Sequence, residues 1–188
     1  LHMARPTESA LDTRRRNLLK MTGMGIFAAG ITSTIIAPVF AQSPLQPGNE
    51  WDKTFVKSDN VDHQKVTFKN RYGITLAADL YQPKNISGKL AAIAISGPFG
   101  AIKEQSSGLY AQTMAERGFI TLAFDPSYTG ESGGEPRHVA SPDINTEDFS
   151  AAVDFIGLQN EVDRNKIGII GICGFGGFSI CVASNIFD

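Results

Sequence analysis

The sequence predicts an α/β fold built on a mostly parallel sheet, and three observations predict it. Leu90–Ile95 is a continuous apolar run of the kind covered on both faces, Phe119–Phe124 reads as another buried strand, and Ile167–Ile172 is a further apolar strand. Segments with helical spacing lie between and after these runs. Ahead of them, two extended segments joined by a turn predict an N-terminal hairpin. Residues 51–188 therefore read as one domain of about five strands with flanking helices.

The elements follow in order. Lys65-Val66-Thr67-Phe68-Lys69 alternates, so it forms a strand with one wet face. Asn70-Arg71-Tyr72-Gly73 is a turn, and Ile74–Tyr81 is the second arm of the hairpin. Pro83–Lys89 is a loop into the Leu90–Ile95 strand. Ser106–Arg117 forms a helix with Ala111, Met114 and Ala115 on one face, stopped by Gly118. Thr129–Pro136 is a glycine-rich loop after the next strand. Asn145 or Thr146 can cap a helix whose first turn carries Glu147 and Asp148. Phe149, Ala152, Val153 and Ile156 mark its core face. Asp163-Arg164-Asn165 is a turn into the last strand, and Phe175 opens the last helix. No repeat or low-complexity tract is present.

Charge and composition remove some classes of function. With 17 Lys+Arg against 19 Asp+Glu, the net charge is −2. That leaves no basic field for a phosphate backbone, so nucleic acid is not an expected partner. Cys173 and Cys181 lie eight apart on one turn–helix segment. Eight helical residues span about 12 Å, beyond the ~7 Å Cα separation of a disulfide.

Residues 1–41 read as an address. Leu1-His2 ahead of Met3 reads as a cloning scar. Arg14-Arg15-Arg16-Asn17-Leu18-Leu19-Lys20, followed by an uncharged stretch from Met21 to Asn49, resembles a twin-arginine (Tat) export signal. Val39-Phe40-Ala41 supplies a small-x-small site with cleavage before Gln42. A retained anchor is the alternative; Met21–Phe40 barely reaches the roughly 20 apolar residues a span needs. The expectation is a bacterial periplasmic or secreted protein that meets the Tat machinery. Residues 42–50 form a linker.

Gly171-Ile172-Cys173-Gly174-Phe175-Gly176-Gly177 follows an apolar strand directly. This is the layout of a nucleophile elbow, in which a sharp strand-to-helix turn holds the tip residue in a strained conformation. The tip is Cys173. A helix N-terminus behind it favours a thiolate, and the Gly174 N–H is placed for half of an oxyanion hole. The second half comes from Ser96-Gly97-Pro98-Phe99-Gly100, where the N–H of Phe99 or Gly100 can donate; Pro98 has none. On residues 171–177 alone, packing remains an alternative to catalysis. A dinucleotide phosphate loop is a further alternative, but Ser179 stands where its third glycine belongs. Cys181 reads as a core residue.

The elbow, the Gly-Pro-Phe-Gly loop and Phe124-Asp125-Pro126-Ser127-Tyr128-Thr129-Gly130-Glu131-Ser132-Gly133-Gly134 occur in one order. Together they resemble the α/β-hydrolase superfamily. The dienelactone-hydrolase-like branch, with Lys103-Glu104-Gln105 and a Gly-Ile-Cys-Gly elbow, is the most similar. The resemblance runs from Trp51 to Gly177 and implies a sheet of about eight strands. It implies a Cys-His-Asp triad, with Cys173 as nucleophile, hydrolysing an ester, lactone or thioester without metal or organic cofactor. Dienelactone hydrolases carry a Glu three residues ahead of the oxyanion-loop glycine, where this chain has Gly97.

The segments that carry the triad Asp and His in that family follow the elbow and are not in this sequence. His63, read as preceding the first strand, and His138, in the loop after the fourth, are the available histidines. Asp125 caps its loop or orients a neighbouring group. Lys103 and Glu104 are expected to fix the oxyanion loop. Ser127, Ser132 and Ser179 lack elbow context and receive no role. The expectation is a chain inactive alone, with the last strand an open edge through which it can oligomerise. The rival expectation is a non-catalytic binding protein that keeps half of a hydrolase fold.

Overall fold

The computed structural model describes residues 51–186, and the predicted export signal and linker lie outside the described residues. Five strands form one sheet in the order β1-β2-β4-β3-β5. They are β1 (Val61–Lys69), β2 (Thr75–Pro83), β3 (Leu90–Ser96), β4 (Ile120–Phe124) and β5 (Val162–Gly171). The helices are α1 (Ser106–Glu116), α2 (Pro142–Gly157) and α3 (Phe175–Ile186). The sheet is mixed, antiparallel across β1-β2-β4 and parallel across β4-β3-β5. Among the described residues no helix is long and apolar enough to cross a membrane.

The hairpin register runs from Val61 opposite Pro83 to Lys69 opposite Thr75. Asn70 makes its turn, because its side-chain oxygen accepts from the N–H groups of Tyr72 and Ile74. Alternation along the strands divides the core. Ala78, Leu80, Ala92, Ala94, Ile120, Leu122 and Phe124 meet α2 and α3 through Phe149, Ala152, Val153, Ile156, Phe175 and Val182. Tyr81, Ile93, Ile95 and Ala123 face α1 through Ala111 and Ala115. The core face predicted for α2 is thus the observed one. Gly118, at φ 95, follows α1 while the Gly118 and Phe119 N–H groups close on its last carbonyls.

Four placements differ from the sequence reading. The hairpin strands are longer than predicted, so His63 lies within β1 rather than before it. Helix α2 starts at Pro142, one turn before Asn145, because extended Ser141 precedes a proline preset for a first helical turn. Asp143, not Glu147 or Asp148, therefore stands in the first turn, and the latter two are buried. The predicted Asp163–Asn165 turn is an irregularity inside β5, where the register slips between Leu90 and Ala92. Cys181 is exposed, because the neighbouring Val182 takes the inward position on α3.

Candidate active site

β5 turns into α3 through a three-residue corner. The Ile172 N–H donates to Ser96 O at 3.0 Å, which keeps the strand paired to its end. The Phe175 N–H then donates to Ile172 O and the Gly176 N–H to Cys173 O. Cys173 between them has φ 56 and is exposed. A left-handed backbone costs an L-residue roughly 1–2 kcal/mol, so this is the strained tip that the sequence predicts. Its sulfur accepts and donates no hydrogen bond among the described residues.

Gly171 makes the corner sterically feasible, since a Cβ there would run into the Phe175 carbonyl. Phe175, bulky where an elbow ordinarily has a small residue, sits in the core. It is 2% exposed and packs on Phe149.

The Ser96–Gly100 loop lies directly against this corner. Gly97 is buried at φ 107, and a Cβ on it would meet the Ile172 carbonyl. The Ala101 N–H donates to Pro98 O, which closes the loop. The N–H groups of Gly174, Phe99 and Gly100 have no protein partner among the described residues. Two loops with unpaired backbone donors thus meet beside the exposed thiol, Gly97 against the Ile172 carbonyl and Phe99 against Gly174. The Phe99 ring lies over Gly174, where a Cβ would enter the ring.

Lys103 anchors that loop from behind, as expected. Its N–H donates to Asp125 Oδ1 at 2.7 Å. Its ammonium is fully buried between Glu104 (2.5 Å), Glu131 (2.5 Å) and Asp125 (3.3 Å). Burial works against that charge, but the three carboxylates outweigh it and hold the Lys103 pKa above its usual value. Burial pushes Asp125 upward, with Lys103 and the backbone donors opposing. Asp125 also accepts from the Glu131 N–H at 2.9 Å, so it joins both loops at the ends of β3 and β4. Ser132, given no role from sequence, ties the second loop to the sheet: its hydroxyl donates to Asp125 O and accepts from the Ala77 N–H.

A second buried cluster escaped the sequence reading. Asp148 accepts from the Asn70 and Asn145 amides and from the N–H and hydroxyl of Ser127. Burial raises its pKa and these donors oppose the rise. It pins the hairpin turn, the loop after β4 and α2 together. The motif Ser141-Pro142, a helix start, was the available signal that Asp148 lies beyond the first turn.

Neither described histidine bonds the thiol. His63 bonds Asp79 at 2.9 Å on β1–β2. Four strand spacings separate β1 from β5, about 19 Å at ~4.8 Å each. His138 is exposed at φ 60, its N–H on Tyr128 O. No set of three or more His, Cys, Asp or Glu among the described residues could hold a metal ion.

The match to the Peptidase_S15 family, X-Pro dipeptidyl-peptidase, covers residues 72–186. The chain belongs to the Peptidase_S15 family. Within reach of this S15 chain is the uncharacterised protein PA2218 of Pseudomonas aeruginosa, 60% identical over 92% of this chain and 51% of its own length. The crystal structure of PA2218 superposes with TM-score 0.74 and 72% identity, over 77% of this chain and 45% of that one. The thiohydrolase aneE of Aspergillus aculeatus is 31% identical over 64% of this chain and 37% of its own. A dienelactone hydrolase-like promiscuous phosphotriesterase from metagenomic libraries shares the fold, with TM-score 0.53 at 19% identity. It covers 67% of this S15 chain and 55% of that chain. The α/β hydrolase GrgF of Penicillium sp. sh18 superposes with TM-score 0.61 at 27% identity, over 68% of this chain and 42% of that one. The S15 chain thus has an α/β-hydrolase fold, and it spans about half the length of PA2218.

Proposed function

We propose that this chain carries the nucleophile half of an exported α/β-hydrolase acting on an ester, lactone or thioester through Cys173. The observation that carries the reading is Cys173 itself, exposed at φ 56 on a strand-to-helix corner. In the reaction the Cys173 sulfur forms a bond to the substrate carbonyl carbon and the thiol proton passes to a base. The carbonyl oxygen gains charge and is held by the N–H of Gly174 and that of Phe99 or Gly100. Collapse breaks the bond to the alcohol or thiol, which leaves with a proton, and water then hydrolyses the acyl-cysteine. The S15 name and the aneE name both denote acyl cleavage, which supports this class of reaction. The described residues place no base on Cys173, so this chain alone turns over near background. Export by the Tat route, a periplasmic or secreted destination, and self-association along the outer edge of β5 belong to the same proposal.

The test is acylation without turnover. Mixed with p-nitrophenyl acetate, the chain should release at most about one equivalent of nitrophenol per Cys173, leaving acetyl on that residue by peptide mass mapping. Cys173→Ala should release none. Acetyl found on another residue, or a burst that survives Cys173→Ala, rejects the assignment. The rival reading, a non-catalytic binding protein, draws on the absence of a hydrogen-bonded base among the described residues; a Cys173 that never acylates favours it.

A further inference from the structure

The chemistry above uses only the backbone of Phe99, yet its side chain is the most conspicuous group at the corner. The ring is 50% exposed, although it is large and apolar. It rests on Gly174, where a Cβ would displace the ring. Its centroid lies 5.0 Å from that of Phe175 and 5.8 Å from that of Phe178. Those two rings meet at 5.2 Å and 85°. Phe175 roots the group in the core, 6.2 Å from Phe149. Three rings thus make a supported aromatic surface whose outermost member stays wet. The segments framing the thiol, residues 97–100 and 171–178, carry no charged side chain. Lys103, the nearest cation along the chain, is buried among its own carboxylates.

A substrate carbonyl bound at Cys173, its oxygen toward the Gly174 N–H, sets its acyl substituent beside Gly174. Gly174 has no side chain, so the surface met there is the Phe99 ring. An apolar or flat group gains contact and ring packing on it. A charged acyl group loses hydration there.

We propose that Phe99, backed by Phe175 and Phe178, is the specificity-determining side chain of the Cys173 site, a shelf that favours aromatic or flat apolar acyl groups over charged ones. The proposal rests on Cys173 as the nucleophile. It is tested with two alkylating reagents that share one electrophile, iodoacetamide and N-benzyliodoacetamide. In both, sulfur displaces iodide, so the ratio of rates at the Cys173 peptide isolates the benzyl group. The expected preference for the benzyl reagent is about three- to tenfold in the folded chain and vanishes in urea. In Phe99→Ala it falls to about one. Phe99→Leu, which keeps apolar bulk should the alanine variant not fold, should lower it at least about twofold. An unchanged preference in either folded variant overturns the shelf and leaves Cys173 as nucleophile. A Cys173 that neither reagent alkylates overturns the nucleophile and the shelf together.

Discussion

Replacing Cys173 by glycine should stabilise this protein while removing its thiol. The tip backbone sits at φ 56, in the region where an L-residue is strained and glycine is not. Relief of that strain is worth roughly 1–2 kcal/mol. Against it, glycine adds conformational freedom to the unfolded chain, about 0.4–1 kcal/mol. The side chain is exposed, so little packing is lost. The balance is a gain of about 0.5–1 kcal/mol over Cys173→Ala, which also lacks the thiol but keeps the Cβ. Urea unfolding can be followed by fluorescence of the one tryptophan, Trp51, whose Nε1 donates to Phe55 O and whose ring lies 5.3 Å from that of His63. With a slope near ~1.5 kcal/mol/M, the glycine midpoint should exceed the alanine midpoint by roughly 0.3–0.7 M. A glycine midpoint at or below that of alanine would falsify the claim that the corner is strained.

Three further outcomes are expected. Lys103→Met leaves buried carboxylates without their cation and should cost about 3–5 kcal/mol in denaturant unfolding, whereas Glu131→Gln, at the partly exposed rim with its side chain 32% exposed, should cost no more than about 1 kcal/mol; equal losses would contradict the buried clasp. Asp148→Asn turns an NH2 toward hydrogen-bond donors and should cost about 1–3 kcal/mol, read by thermal or urea unfolding, and a neutral result would mean the cluster does not hold the hairpin turn. Burial opposes ionisation of Asp79, but the bonds from His63 and Lys53 prevail and lower its pKa below 3.8. Its stabilisation is therefore present above the unfolded value and lost as pH falls through the lower folded value. Asp79→Asn should flatten the acid limb of the stability profile below about pH 4, and an unchanged acid limb would refute that linkage.

What could be read from the sequence was what depends on neighbours along the chain. The apolar runs of β3 and β4 announce burial on both faces, whereas β5, at the sheet edge, is only partly covered. The glycines around Cys173 announce a corner, and its φ of 56 meets that expectation. The Lys103–Glu104 anchor was half legible, because the lysine stood beside the loop, while Asp125 and Glu131 reach it only across the fold. Asp148 was misplaced for a local reason and missed for a distant one. Glu147 and Asp148 mimic a helix start, but Pro142 begins the helix earlier, and Asn70 arrives from the hairpin. The same limit applies to His63: its residue type suggested a base, and only the strand order puts it at the far side of the sheet. Cys181 failed on helix phase, with Val182 holding the inward place.

The strand order also sets a sequence of events during folding. β1 and β2 are neighbours in sequence and can close early. β5 has a partner only in β3 among the described residues, with α1, β4 and α2 lying between them. Distant pairings repay loop-closure entropy late and slow folding. The Gly97 loop can reach the Ile172 carbonyl only after that pairing. Until then Cys173 is an unstrained thiol in open chain, and the corner exists only in the finished molecule. Reactivity at Cys173 is thus a clock for the last docking step: a thiol reagent pulsed during refolding would see this residue change character after the hairpin has formed.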